Sequence, residues 1–182
     1  MSFLFATIFV VVDDCGLDLE RLETKCRLHS KKQPSESLSN IGGYQGHHFT
    51  DNELSTLVRN NLPQREDKPI KNIKLEMWAN INGPGHSNER HHHNPHSGTF
   101  MSGVFYVKCP ENSGSIRFYD PRPHIDTTPD NTYYSDGSKF IDFLPSPNTL
   151  LIFPPWLEHS VEPNQSEEDR LSISFNFGSA IY

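Results

Sequence analysis

Two kinds of apolar spacing divide this chain. Over residues 17–29, Leu19, Leu22 and Cys26 recur on one face of a helical wheel with charged side chains elsewhere, which predicts an amphipathic helix. Thr50-Asp51-Asn52-Glu53 has a capping-box pattern, and Leu54, Leu57 and Val58 follow at i, i+3, i+4 spacing, so a second helix is expected to end before Pro63. Between the two lies a polar Ser/Gly stretch, 35–46, in which the pattern marks no element. Beyond residue 71 the helical period disappears. Short strands are expected at about 72–80, 99–108, 114–119, 139–143, 149–153, 158–162 and 169–178, set apart by turn signals such as Glu111-Asn112-Ser113-Gly114 and Pro145-Ser146-Pro147-Asn148. Repeats and linkers are absent, so one domain is expected over 1–182: an N-terminal strand and bracing helices in 1–70, then a β core in 71–182. Helices first and evenly spaced strands after predict a mainly β fold, a double-sheet jelly roll with helices flanking one face.

Two of these strands say more than their neighbours. Thr149-Leu150-Leu151-Ile152-Phe153 is apolar almost throughout, as a strand covered on both faces should be. The last strand alternates: Arg170, Ser172, Ser174 and Asn176 fall on one face, and Leu171, Ile173, Phe175 and Phe177 on the other. An edge strand wetted on its polar side would show the same alternation. In a sheet covered on both faces, however, the polar row points inward, where each unpaired group costs roughly 1–3 kcal/mol, so a ligand or a wet cavity is implied. The start of the chain, Met1 to Val12, is apolar enough to suggest a signal peptide. It lacks a basic n-region and a small-residue cleavage site, Asp13-Asp14 follows at once, and β-branched residues favour a buried first strand instead.

Charge narrows the range of functions. A net charge of −7 over 182 residues speaks against a general nucleic-acid or anionic-membrane binder, which needs clustered Lys and Arg. Cys15, Cys26 and Cys109 show no C-x-x-C spacing, and a reducing, cytoplasmic location is the simpler expectation.

Candidate chemistry centres on the run Arg90-His91-His92-His93. On an extended strand His91 and His93 share a face and His92 does not. Two imidazoles on one face, joined by His159 from a neighbouring strand, would make a three-ligand metal face with open positions, suited to iron, zinc, copper or nickel. A surface histidine tract is the competing explanation. His96 competes with His93 as the second ligand, and Asp120 could supply a carboxylate, though Asp120-Pro121-Arg122 reads equally well as a turn. His47, His48, His86 and His124 have no pairing that raises them above ordinary surface histidines.

Several stretches, taken in order, resemble the iron(II)- and 2-oxoglutarate-dependent oxygenase superfamily, and within it a subgroup common in marine bacteria and phages. They are Ser39-Asn40-Ile41-Gly42-Gly43-Tyr44-Gln45; Trp78-x-Asn80 with Asn88-x-x-His91-x-His93; Ser102-Gly103-Val104-Phe105-Tyr106-Val107; Phe118-Tyr119-Asp120-Pro121-Arg122; the run from Phe153 to Asn164; and Arg170-Leu171-Ser172-Ile173-Ser174-Phe175-Asn176. The resemblance implies a double-stranded β-helix, cupin-like in build, and an enzyme using Fe(2+) with 2-oxoglutarate as co-substrate. It implies His91, His93 and His159 as metal ligands, Arg170 with Ser172 on the distal carboxylate of 2-oxoglutarate, and dioxygen as a reactant. Tyr106 could add a hydroxyl to that carboxylate or serve as a core aromatic. Bidentate pairing of guanidinium with carboxylate supports Arg170 on physical grounds.

The sequence departs from the superfamily at His93, where Asp or Glu is usual, and in the length of the loop before Ser102. The expected reaction is hydroxylation with release of succinate and carbon dioxide, beside an apolar wall of Phe105, Phe118 and Trp156. Two other classes stay open: a cupin-like three-histidine oxygenase that uses no 2-oxoglutarate, and a non-enzymatic β-sandwich binding module. The substrate is expected to be a small molecule or a modified polymer, met by the polar loops around 83–100 and 121–138. A homodimer stays open.

Overall fold

The computed structural model describes residues 6–63, 73–93, 98–122 and 139–179. In chain order the elements are β1 (Val10–Val12), α1 (Leu19–Lys32), β2 (Asn40–Ile41), β3 (Tyr44–Phe49), α2 (Asn52–Asn61), β4 (Ile73–Asn82), β5 (Ser87–His91), β6 (Thr99–Lys108), β7 (Ile116–Tyr119), β8 (Phe140–Phe143), β9 (Leu150–Phe153), β10 (His159–Val161) and β11 (Arg170–Ser179). They form two antiparallel sheets, ordered β1-β9-β6-β11-β4-β3 and β2-β5-β10-β7-β8. This is the double-sheet jelly roll expected from the strand spacing and the double-stranded β-helix implied by the resemblance, with the helices on one side only.

Both helices begin on an aspartate. Asp18 accepts from the Arg21 N–H at 3.0 Å and Asp51 from the Leu54 N–H at 3.0 Å, so each cap satisfies a donor that its helix leaves open. Helix α1 carries Glu20 in its first turn and His29, Lys31 and Lys32 in its last, matching the helix dipole at both ends. Their buried faces, Leu22 and Cys26 on α1 and Leu54 and Val58 on α2, pack on the outer side of the six-stranded sheet with Met77, Phe105, Ile152, Leu171, Ile173, Phe175 and Phe177. Each fully buried Leu, Ile or Phe there contributes roughly 1.5–3 kcal/mol. Asp51 also bridges the helices, meeting Arg21 at 2.6 Å and Lys25 at 2.9 Å.

A second, smaller apolar cluster fills the space between the sheets: Val104, Tyr106, Ile116, Phe118, Leu151, Phe153 and Leu157. Strand β9 is buried at every position, because it is sandwiched between the helix-side core and this cluster. Strand β11 sits between β4 and β6, so its polar row cannot face solvent from a sheet edge.

Three expectations change. The N-terminal strand is shorter and more exposed than expected: β1 covers only Val10–Val12 at the sheet edge, and Ile8, Phe9 and Val11 stay 54%, 38% and 40% accessible. Residues 1–5 lie outside the described residues. Apolar, β-branched composition reports affinity for a sheet, but an edge strand satisfies it by covering one face only. The polar stretch 35–46 contains β2 and the start of β3, and from it Ser39 and Gln45 line a cavity, which leaves no apolar pattern to mark the strands. Helix α1 starts two residues later than expected and runs on to Lys32.

Candidate functional site

Strand pairing brings the histidines together. His91, the last residue of β5, is the direct cross-strand partner of His159, the first of β10, and their ring centroids are 4.3 Å apart. His93 lies two residues past the end of β5; its backbone N–H donates to the Pro155 carbonyl at 2.8 Å, which holds the extended chain in line. Its ring stacks on His159, with centroids 5.3 Å apart and planes 6° from parallel. One nitrogen from each of the three lies within 4.8 Å of the others, close enough to converge on one metal ion. His92, as the alternation requires, points away and is exposed.

Two of the rings have a fixed orientation. His91 Nδ1 lies 2.7 Å from the Glu89 carbonyl and His159 Nδ1 lies 2.9 Å from the Leu157 carbonyl. With Nδ1–H committed to a carbonyl, Nε2 keeps the free lone pair, the arrangement that metal-binding imidazoles adopt. His93 is tied instead by a side-chain hydrogen bond to Asn176, which also accepts from Ser102 Oγ at 2.8 Å. Burial holds all three imidazoles neutral: His91 is lowered, His93 is pushed down to about 4 with His91 adding to the effect, and His159 falls well below the usual range. Three neutral imidazoles, two of them with fixed tautomers, fit a divalent transition metal.

Arg170 opens the opposite end of the same cavity, which measures about 440 Å³ and is lined also by Tyr106, Ser172, Ser174 and Asn176. The guanidinium is 3% exposed, and Nη1 donates to the carbonyls of Ser113 at 2.9 Å and Gly114 at 3.2 Å. Among the described residues no carboxylate meets it, and burial lowers its pKa. A buried cation without a counter-charge costs several kcal/mol, so this end of the cavity suits an anion. Tyr106 and Ser172 are register partners on adjacent strands, both buried beside Arg170's row; burial pushes the Tyr106 phenol up, so it stays a neutral donor.

The other candidates separate from this group. Asp120 does not converge with the histidines: Arg122 engages its carboxylate through both the backbone N–H, at 3.0 Å, and the guanidinium. His96 and His124 lie outside the described residues, as does most of the 121–138 loop. The expected apolar wall is partly relocated. Phe118 stands 6.0 Å from His159 and Phe153 4.9 Å, whereas Phe105 faces the helix-side core and Trp156 is 44% exposed. His47 is the residue the sequence undervalued. It lies on β3, lines the cavity, and stacks on Trp78 at 5.4 Å and 13°, while Trp78 reaches His93 at 5.8 Å. The alternation Gln45-x-His47 was the available signal, hidden because β3 is too short and polar to read as a strand.

Comparisons with known proteins bear on the fold and the family. Among solved structures, the chain is similar to a prolyl-4-hydroxylase from Pseudomonas putida (TM-score 0.64, 16% identity, 94% of this chain and 92% of that one). It is similar to HygX from Streptomyces hygroscopicus with nickel and 2-oxoglutarate bound (0.63, 13%, 97% and 84%). It is also similar to a viral collagen prolyl hydroxylase from Paramecium Bursaria Chlorella virus-1 in its 2OG complex (0.63, 14%, 95% and 96%). At these identities the likeness establishes the fold. No curated protein matches the chain by sequence. No described helix is long and apolar enough to cross a membrane. Residues 76–176, more than half of the chain, match the family model described as "Putative 2OG-Fe(II) oxygenase". The chain therefore belongs to the 2OG-Fe(II) oxygenase family, whose members use iron(II) and 2-oxoglutarate.

Proposed function

We propose that this oxygenase is a hydroxylase that holds iron(II) with His91, His93 and His159 and seats 2-oxoglutarate between that centre and Arg170. The observation that carries the reading is a single cavity with three converging neutral imidazoles near one end and an uncompensated, buried guanidinium at the other. A dicarboxylate keto acid has the matching polarity, with a chelating keto-carboxylate end and a second carboxylate for the guanidinium.

With iron, 2-oxoglutarate and dioxygen present, the centre would supply oxidative decarboxylation to succinate and carbon dioxide, together with transfer of one oxygen atom into a substrate C–H bond. The chain's own residues do the positioning. Ser113 and Gly114 hold Nη1 of Arg170, leaving its other N–H groups for the distal carboxylate, and Ser172 and Tyr106 supply neutral hydroxyls beside it. Glu89 and Leu157 carbonyls orient the His91 and His159 rings, and Asn176 orients His93. Phe153 and Phe118 pack beside His159 and limit water there.

The test is succinate formation from 2-oxoglutarate with iron(II) and ascorbate, in the absence of any added substrate. Slow turnover above a metal-free control is expected, lost in His159→Ala. Turnover absent across several keto acids, with metal still bound, would favour a three-histidine oxygenase that uses Arg170 to hold a substrate carboxylate.

A further inference from the structure

The Ser39–Gln45 stretch, quoted above as part of the family resemblance, has no task in metal or co-substrate binding, yet it delivers Ser39 and Gln45 to the cavity. Gln45 is 5% exposed, and its Oε1 has no hydrogen-bond partner among the described residues. Its backbone leaves the side chain little freedom: the N–H donates to Ser35 Oγ at 3.0 Å and the carbonyl accepts from the Glu36 N–H at 2.9 Å. Two residues along β3, His47 lines the same cavity with Nε2 buried and, among the described residues, without a hydrogen bond, the Glu36 carboxylate lying 3.9 Å away. Leaving such groups unpaired is costly, and a ligand supplying donors recovers that cost.

Register places Gln45 at the edge of the row that carries Ser172 and Tyr106. Gln45 is the partner of Asn80, Asn80 of Ser172, and Ser172 of Tyr106, so the four form one row across the inner face of the large sheet with Tyr106 and Gln45 at its ends. On β3 beside Gln45 no Lys or Arg lines the cavity, and the nearby charge is the Glu36 carboxylate by His47. Among the described residues lining the cavity the cations are Arg170, two strands away on β11 with its Nη1 held by the Ser113 and Gly114 carbonyls, and Arg90, which is paired with Glu158 and lies over the Tyr119 ring. Asn80 is already engaged with Ser174, and Asn88 with Ser39 and Asn82. Trp78 closes the row toward the metal face, packed between His47 and His93.

We propose that Gln45, with His47 beside it, is the specificity-determining contact for the prime substrate, accepting a hydrogen bond from an uncharged N–H or O–H group held alongside Trp78. The inference rests on the hydroxylase reading above, because it takes the Arg170 end to be filled by 2-oxoglutarate. An anionic group would meet no free cation at this end, and a group without a donor would leave Oε1 unpaired.

Ligand-observed NMR on the full chain, loaded with zinc and 2-oxoglutarate so that no turnover occurs, tests this with four probes of similar size: propanamide, propan-1-ol, butanone and propanoate. Propanamide or propan-1-ol should bind, whichever is tighter identifying the amide or the hydroxyl as the preferred source, and butanone and propanoate should not. Gln45→Met, which keeps the length of the side chain, should weaken that binding by about three- to tenfold, while Gln45→Glu, which keeps an acceptor, should restore part of it. Zinc and 2-oxoglutarate affinities, measured in the same samples, should not change in either variant. Equal binding of butanone or propanoate, no probe binding to the loaded parent, or an undiminished affinity in Gln45→Met would overturn the proposal. So would a loss of 2-oxoglutarate affinity in Gln45→Met, which would move Gln45 into the co-substrate site. A parent that takes up zinc but not 2-oxoglutarate would instead overturn the hydroxylase reading, a separable result.

Discussion

Arg170 points its guanidinium back across the fold to the carbonyl of Ser113, 2.9 Å away, so a turn far earlier in the chain sets where the buried cation sits. The contact uses one Nη1 and leaves the remaining N–H groups facing the cavity, a division of labour open to a forked side chain and closed to a point charge. On the proposed assignment, Arg170→Ala should raise the 2-oxoglutarate concentration needed for half-maximal turnover by about 1.5–3 kcal/mol of charged hydrogen bonding, roughly tenfold or more. Arg170→Lys should recover only part of the loss. Isothermal titration of 2-oxoglutarate into the zinc-loaded variants checks this, and unchanged affinity in Arg170→Ala would remove Arg170 from the co-substrate site.

The same turn exposes a second point of failure. Gly114 has φ +86°, and a Cβ there would come within 2.3 Å of the Glu162 carbonyl and 2.9 Å of the Pro163 carbonyl. Both obstacles are backbone, so Gly114→Ala must shift the turn that holds Arg170, at a cost of about 1–3 kcal/mol. Thermal denaturation should show the lost stability. 2-Oxoglutarate affinity should fall in the folded variant while metal affinity, which depends on the opposite end of the cavity, stays close to the parent's.

How much of this was legible follows from the periods involved. Period-2 alternation in Arg170–Phe177 reported both the inward polar row and the helix-facing apolar row, because β11 is long and central enough for the pattern to persist. His91 was singled out by the His91-x-His93 alternation and His159 by the family resemblance, and their direct cross-strand pairing appears only in the structure. His93 converges with them by a route the strand argument did not include: β5 ends at His91, and a bond from the His93 N–H to Pro155 extends the geometry. Gln45 and His47 were illegible as site residues, since a short strand facing a polar cavity on one side carries no apolar signal. The N-terminal strand failed in the opposite sense: its apolar residues promised burial and found an edge.

Asp51 offers a stability test with a defined sign. Burial opposes its ionisation, but the Arg21 hydrogen bond, the Leu54 N–H and Lys25 together hold the carboxyl well below the usual carboxylate range. A depressed folded-state pKa stabilises the fold above the unfolded value, about 3.9, and that contribution is lost as pH falls toward the folded value. Asp51→Asn keeps the helix cap and removes the charge, so it should cost about 1–2 kcal/mol near neutrality, the partners' partial exposure limiting the loss. Asp51→Ala should cost about 1 kcal/mol more through the lost cap. The gap in denaturation midpoint between parent and Asp51→Asn should narrow as pH is lowered from 5 toward 2; a gap independent of pH would show that the ion pairs contribute nothing.

On the proposed assignment, His93 is where the ligand set departs from the usual chemistry of this superfamily, and its substitution separates charge from geometry. Three neutral imidazoles would leave the full double charge of iron(II) uncompensated by the protein, so the keto-carboxylate end of 2-oxoglutarate would bring the first negative charge to the centre. Metal binding alone should therefore be weak and should tighten strongly when 2-oxoglutarate is present, with 2-oxoglutarate affinity raised by metal to the same factor, since coupling is reciprocal. His93→Asp places a carboxylate at that position and should tighten cobalt(II) or iron(II) binding without 2-oxoglutarate by about tenfold or more, while shrinking the coupling between the two ligands. Anaerobic cobalt titrations followed by visible absorption, with and without 2-oxoglutarate, read both quantities. Unchanged cobalt affinity in a folded His93→Asp variant would remove His93 from the metal shell. Weakened binding would show that ring size and stacking on His159, 5.3 Å away, set the site more than charge does.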